Sequence, residues 1–180
     1  MFFWNVLKVW DVYMKDNTEN MGDGKQKAFF PLFIDISEKT CVVIGAGKIA
    51  ARRIRILADF CSDIRVIAPE ADLSVQQMAR EGLCRWVSQA YAPGDLDGAA
   101  LVFAATDDPA LNEEIFRVCR KNSVPVNVCS DQRKCDFHFP GIVRRDELVI
   151  GVNGAGKDHH RVRVLRERIQ ELMERGELDV

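Results

Sequence analysis

Residues 40–50 read Thr40-Cys41-Val42-Val43-Ile44-Gly45-Ala46-Gly47-Lys48-Ile49-Ala50. Thr40 to Ile44 is a β-branched, apolar run that stops at a glycine, the pattern of a strand buried on both faces. Lys48 to Phe60 then sets Ile49, Ile54, Leu57 and Phe60 at helical spacing. Between the two lies GxGxxA, and each position has a physical job. Gly45 turns the chain sharply, and Gly47 lacks a Cβ, so a pyrophosphate can approach the backbone. Ala50 lets helix and strand pack closely, while the helix N-terminus offers unpaired N–H groups and a partial positive charge. Strand, glycine turn and helix in series make a dinucleotide site the leading expectation for this stretch.

The pattern repeats outward from there. Ile64–Ala68, Cys84–Val87, Leu101–Ala105 and Pro125–Cys129 read as further buried strands. Ser74–Arg80 and Pro109–Lys121 read as the intervening helices. Strands alternating with helices predict an α/β, Rossmann-like, doubly wound parallel sheet. After Cys129 the pattern changes. Phe137–Phe139, Ile142–Arg144 and Leu148–Val152 look like short antiparallel strands, and Arg161–Met173 like a C-terminal helix. The expected division is a dinucleotide-binding Rossmann domain over 29–131, then a small α+β segment over 132–180. Residues 1–28 carry Trp4 and Trp10 and then turn polar. They read as a disordered extension, with Met21 as the natural start.

Composition narrows the classes of function. The chain has 180 residues, 47% of them apolar and 29% charged, which suits a folded globular domain. Lys plus Arg is 25 and Asp plus Glu is 27, a balance of -2 that argues against a general nucleic-acid binder. No run is long enough to span a bilayer. The six cysteines form no CxxC pair. Several lie in apolar runs, which reads as reduced thiols in a cytoplasmic protein.

Strand ends at the carboxyl edge of a parallel sheet face the ligand crevice. Pro69 and Glu70 follow the second strand, where an acid can bind ribose hydroxyls. Glu70 there would repel a 2′-phosphate and favour NAD, while Arg52 and Arg65 keep NADP open. Ala105 and Thr106 end the fourth strand, where small alanines let a cofactor lie against the backbone and the Thr106 hydroxyl is a candidate to bond it. Asp107 and Asp108 follow, Asp108 reading as the cap of the next helix. Arg133, Lys134, Arg144 and Arg145, with Lys157, Arg161 and Arg163, put cationic charge in the last third, suited to a carboxylated ligand. Of the three histidines, His138 alternates with Phe137 and Phe139 and reads as structural. His159-His160 is a candidate for transient iron binding or proton transfer. Cys129 and Cys135 read as packing residues.

Five stretches in this order and spacing carry a resemblance: Phe30-Pro31-Leu32-Phe33, GAGKIAARR from Gly45, AATDDPALN from Ala104, Val126-Asn127-Val128, and Asp136-Phe137-His138-Phe139-Pro140. Over about Phe29 to Leu172 the chain resembles the precorrin-2 dehydrogenase family, the N-terminal module of siroheme synthases. The resemblance implies NAD-dependent oxidation of precorrin-2 to sirohydrochlorin, and in some members insertion of ferrous iron. It carries dinucleotide contacts to Gly45, Gly47, Lys48, Ile49, Pro69 and Glu70. It implies a homodimer built from the stretch after Phe137 and a carboxylated tetrapyrrole substrate, for which the basic residues Arg133, Lys134, Arg144 and Arg145 are the candidate holders by their charge.

The chain departs from the family in two places. An Asp that usually follows the fifth strand is replaced by Ser130, with Asp131 one residue later, so Asp131 and Asp107 are the candidate acid/base residues. The Ser/Thr-Gly-Gly-x-Ser-Pro run before the last helix is here Asn153-Gly154-Ala155-Gly156-Lys157-Asp158-His159-His160. Two alternatives follow. One is a non-catalytic dinucleotide-sensing module. The other is a tetrapyrrole chelatase or carrier without dehydrogenase activity, motivated by Ser130.

Overall fold

Strand β1 (Thr40–Ile44) is the axis of the molecule. Its side chains alternate between two cores: Cys41 and Val43 face one, Val42 and Ile44 the other. A strand buried on both faces needs helices on both faces, and the chain supplies them. The computed structural model describes residues 29–156 and 158–178. Parallel strands β1, β2 (Asp63–Ile67), β3 (Arg85–Val87), β4 (Ala99–Ala104) and β5 (Val126–Val128) form a five-stranded sheet in the order β3-β2-β1-β4-β5. The order reverses between β1 and β4. Both strand ends open there on one side, which makes the gap a natural crevice for a ligand.

Helix α1 (Lys48–Leu57) sets Ala50, Ala51, Ile54 and Leu57 into the first core, beside Val75 and Met78 of α2 (Leu73–Arg80). Helix α3 (Pro109–Lys121) sets Ile115 and Cys119 into the second core against Val102, Val126 and Val128. Asp108 caps α3 by accepting from Ala110 N (2.8 Å) and Leu111 N (3.2 Å), with Pro109 at the first helical position, as its sequence predicts. All six cysteines are free thiols. Among the described residues, no helix is long and apolar enough to cross a membrane.

The last third differs from its expected form at one element. Phe137–Phe139 is not a strand. The ribbon has two antiparallel strands, β6 (Gly141–Arg145) and β7 (Leu148–Val152), followed by α4 (His159–Glu174). The alternation at 137–139 has another cause. Phe137 and Phe139 pack edge-on against Phe103 of β4, with centroids 5.4 and 5.7 Å away, while His138 lies against Phe29 at 3.7 Å. The period of two reflects one residue in three turned away from a core, not a ladder partner.

Asp136 anchors this return to the sheet. It is 6% exposed, and its Oδ2 accepts from Val126 N at 3.0 Å, while Arg120 NH2 stands 2.9 Å from Oδ1. Burial pushes its carboxyl above the usual range, while the Val126 N–H and the Arg120 charge pull it back. Residues 1–28, read as an extension, lie outside the described residues, as does Lys157 of the basic group.

Asp136→Ala should strand the buried β5 N–H and take a carboxylate away from the Arg120 guanidinium. We expect a loss of about 3 kcal/mol, where a single orphaned buried donor costs ~1–3 and a broken buried ion pair ~3–5. The check is the urea midpoint at an unchanged m-value.

Candidate dinucleotide and substrate site

Gly45 has φ +98° and no room for a side chain: a Cβ would stand 2.5 Å from the Ala105 carbonyl oxygen. The glycine turn therefore lies directly on the end of β4. Ala105 N–H donates to Ile44 O at 2.8 Å, and Gly45 N–H to Ile67 O at 2.9 Å, which ties the turn to both neighbouring strands. Gly47 has the opposite character. Its φ is -82°, and a Cβ there would meet nothing within 4 Å. It faces open space, as a backbone surface for a pyrophosphate must.

Gly47 is also the N-cap of α1, with no side chain closing the cap and no acidic residue in the first turn. The first helical bond runs from Ala51 N to Gly47 O at 2.9 Å, so the N–H groups of Lys48, Ile49 and Ala50 have no partner within the helix. An uncapped helix start with an open glycine has the geometry that suits an anion. The residues present fit a dinucleotide.

The loop after β2 is pinned to this turn. Asp72 N–H donates to Ala46 O at 2.9 Å, and Trp86 Nε1 to Ala68 O at 3.0 Å. Pro69 and Glu70 are exposed between those two ties, at the carboxyl edge beside the glycines. Asp72 starts α2 by accepting from Ser74, and those bonds hold its carboxyl below the usual range.

On the far side, Thr106 spends its hydroxyl inward. Its Oγ1 is 3.0 Å from Asp108 O and 2.9 Å from Asn112 Oδ1. Asn112, 3% exposed, also donates to Thr106 O (3.0 Å) and Ser130 Oγ (3.3 Å). One buried amide thus fastens the loop after β4 to the loop after β5. The sequence signal for Asn112 was an amide on the first turn of a helix that follows a strand-end Thr. Asp107 is exposed on the same loop.

The basic residues do not converge. Asp131 caps a short 3-10 turn, Gln132–Lys134, and is held by Arg133 through Nε (3.0 Å) and NH2 (2.9 Å). That grip, with Lys134 behind it, keeps the Asp131 carboxyl below the usual carboxylate range. Lys134 pairs with Glu113 and lies 3.8 Å from Asp131. Arg144 instead donates to Asp59 O at 3.2 Å and lies over the Phe60 ring, while Arg145 donates to Met173 O. Arg133 and Lys134 thus pair with Asp131 and Glu113, while Arg144 and Arg145 bond backbone carbonyls of two other segments.

A cavity of about 110 Å³ opens beyond the end of β5. Its lining includes Arg53, Asn127, Cys129, His138, Asn153 and His159, brought together from α1, β5, the 137–139 crossing, the loop after β7 and α4. Burial pushes the Cys129 thiol up, with Arg53 beside it pulling the other way. Arg53 was not singled out as a site residue, yet its position signals it: with Ala50, Ile54 and Leu57 it completes the i, i+3, i+4, i+7 face that α1 buries.

Two glycine variants separate ligand binding from folding. Gly47→Val, where nothing crowds a new Cβ but a favourable N-cap residue is lost, should lower the thermal midpoint by only about 2–4 °C. It should raise the dinucleotide dissociation constant at least ~10-fold by occupying the approach path. Gly45→Ala should unfold at lower temperature, since its Cβ meets backbone in a left-handed conformation. Thermal melts and fluorescence titration with NAD read both effects.

The family described as "Putative NAD(P)-binding" matches residues 32–141. The chain is 37% identical over 145 residues to Siroheme synthase 1 of Serratia proteamaculans, covering 81% of this chain and 30% of that protein. It is 38% identical over 142 residues to Siroheme synthase of Azotobacter vinelandii, covering 79% of this chain and 31% of that protein. The chain thus spans about three-tenths of the length of the curated relatives it matches. A solved structure titled "SirC, precorrin-2 dehydrogenase" shares the fold at TM-score 0.72 and 22% identity, over 79% of this chain and 70% of that one. Matched across the glycine turn, the sheet and the crossing at Phe137–Phe139, this chain belongs to the NAD(P)-binding family, with siroheme synthases among its relatives.

Proposed function

We propose that this chain oxidises precorrin-2 to sirohydrochlorin with NAD as hydride acceptor, a step of siroheme synthesis. The observation that carries the reading is the open, uncapped start of α1 at Gly47, in a chain whose relatives at 37–38% identity are siroheme synthases. Glu70, exposed beside the glycine turn, favours NAD over its 2′-phosphorylated form by charge repulsion. The nicotinamide, when bound, takes up the hydride.

The chain's own residues do the rest. The N–H groups of Lys48, Ile49 and Ala50 hold the pyrophosphate, and Gly47 lets it approach. Ala105 and Thr106 form the floor of the crevice against which the cofactor lies. As the hydride leaves the macrocycle, a proton must leave as well. Asp131 is the candidate acceptor, with Asp107 the second. The grip of Arg133 keeps the Asp131 carboxyl below the usual carboxylate range, which suits the role of base better than that of acid. The substrate is a carboxylated tetrapyrrole. The active form is a homodimer through the ribbon and α4, where Val164 (48%), Leu165 (48%) and Leu148 (41%) remain exposed.

The test is incubation with precorrin-2 and NAD, followed by sirohydrochlorin absorbance. No product from the folded chain would overturn the reading. Asp131→Ala should slow turnover by ~10²–10⁴-fold with NAD affinity intact, and Ser130→Asp should keep or raise the rate. Because the Asp131 carboxyl lies below its ordinary range, a wild-type rate governed by it should lose its acid side only below that range. An acid limb near neutrality would transfer the base role elsewhere.

Sedimentation at micromolar concentration should give about twice the 20.4 kDa chain mass. A monomer throughout that range would remove the assembly role from α4.

A further inference from the structure

Arg53 carries a cost that its own fold does not explain. Its guanidinium lies 4.7 Å from the Phe139 ring centroid and 5.8 Å from that of Phe103. Its NH1 is shut off from water and has no hydrogen-bond partner. Its guanidinium also reaches Cys129, yet an orphaned donor on a permanently charged group is expensive and calls for an explanation, an anionic ligand being one. Arg53 also lines the cavity beyond β5, where it is the one permanent cation among the described lining residues. The carboxylate in that lining, Asp158, is committed to capping α4, accepting from Arg161 N at 2.7 Å. Neutral hydrogen-bonding groups, Gln132 and Asn153, complete the wall with His138 and His159.

The cavity is small. At about 110 Å³ it falls well below the ~300–1,000 Å³ of a site that encloses a drug-sized ligand. It has room for a short acidic arm and not for a macrocycle. We infer that this cavity is a carboxylate subsite in which Arg53 receives one acidic side arm of the bound tetrapyrrole. The inference rests on the proposed substrate class and adds a residue that fixes its orientation.

The placement has a mechanical consequence. Arg53 lies on the same helix whose N-terminus faces the pyrophosphate, five residues beyond Lys48 and hence about 7–8 Å along the axis. A single rigid element would set the distance between cofactor and substrate. Arg53 contributes by positioning, so its loss should appear as weaker substrate binding before slower chemistry.

The experiment uses the full chain and uroporphyrin, a redox-inert tetrapyrrole rich in carboxylate arms, titrated by tryptophan fluorescence. Arg53→Gln should weaken uroporphyrin binding about ten- to a hundredfold, the value of a charge-assisted hydrogen bond, with NAD affinity changed less than about twofold. Arg53→Lys should recover most of the affinity. Asn153→Asp keeps the acceptor that bonds Ala155 N and His138 but adds negative charge to the wall, and should weaken uroporphyrin as well. With precorrin-2, Arg53→Gln should raise KM more than it lowers kcat.

Wild-type affinity for uroporphyrin in folded Arg53→Gln overturns the inference, as does a wild type that does not bind uroporphyrin. If Arg53→Gln does not fold, Asn153→Asp decides, and unchanged affinity there overturns it. A wild type that binds uroporphyrin through Arg53 yet makes no sirohydrochlorin would sink the dehydrogenase reading and leave the subsite standing.

Discussion

The contact between Gly45 and the Ala105 carbonyl is the constraint on which the rest of the architecture depends. No other residue permits a turn with φ +98° and a backbone oxygen where its Cβ would be. Where the turn sits so close, β1 and β4 are in continuous register from Cys41 to Ile44, and their ends share one crevice. Because the chain then enters α1 without a capping side chain, the helix presents bare N–H groups to that crevice. The close approach follows from Gly45 and the bare helix start from Gly47, two small residues with one position between them.

The other wall of the crevice is held by buried polar groups. Asn112 joins the loops after β4 and β5, and Asp136 ties the returning chain to the first N–H of β5. Both are nearly inaccessible to water, where an unmatched polar group is costly and a matched one fixes geometry. They stand in place of the longer ladder that β5, only three residues long, cannot provide.

Charge is distributed by the same logic. Arg133, Lys134 and Arg145 are each drawn to a carboxylate or carbonyl close at hand, and Arg144 to the end of α1 and the Phe60 ring. Arg53 is held among aromatic rings instead, which leaves part of its hydrogen-bonding capacity unspent at the mouth of a cavity. A cation that satisfies itself on the protein's surface is a poor ligand for a substrate. One kept short of acceptors is a good one.

The sequence by itself determined the parallel sheet, the glycine turn and the helix starts. Those features rest on short-range causes: β-branched runs that stop at glycine, the spacing of Ala50, Ile54 and Leu57, and Asp108 before Pro109. Asp136-Phe137-His138-Phe139 shows the limit of such reasoning, since an alternation caused by packing on Phe103 is identical in sequence to one caused by a ladder. The fate of most basic residues was likewise not legible, because partners such as Glu113 for Lys134 or the Met173 carbonyl for Arg145 lie far along the chain, Arg133 beside Asp131 being the exception. Tertiary structure alone decided which arginine nitrogens, such as Arg53 NH1 and Arg65 Nε, stay unpaired, since that depends on which acceptors folding brings within reach, and a sequence records only who the neighbours along the chain are.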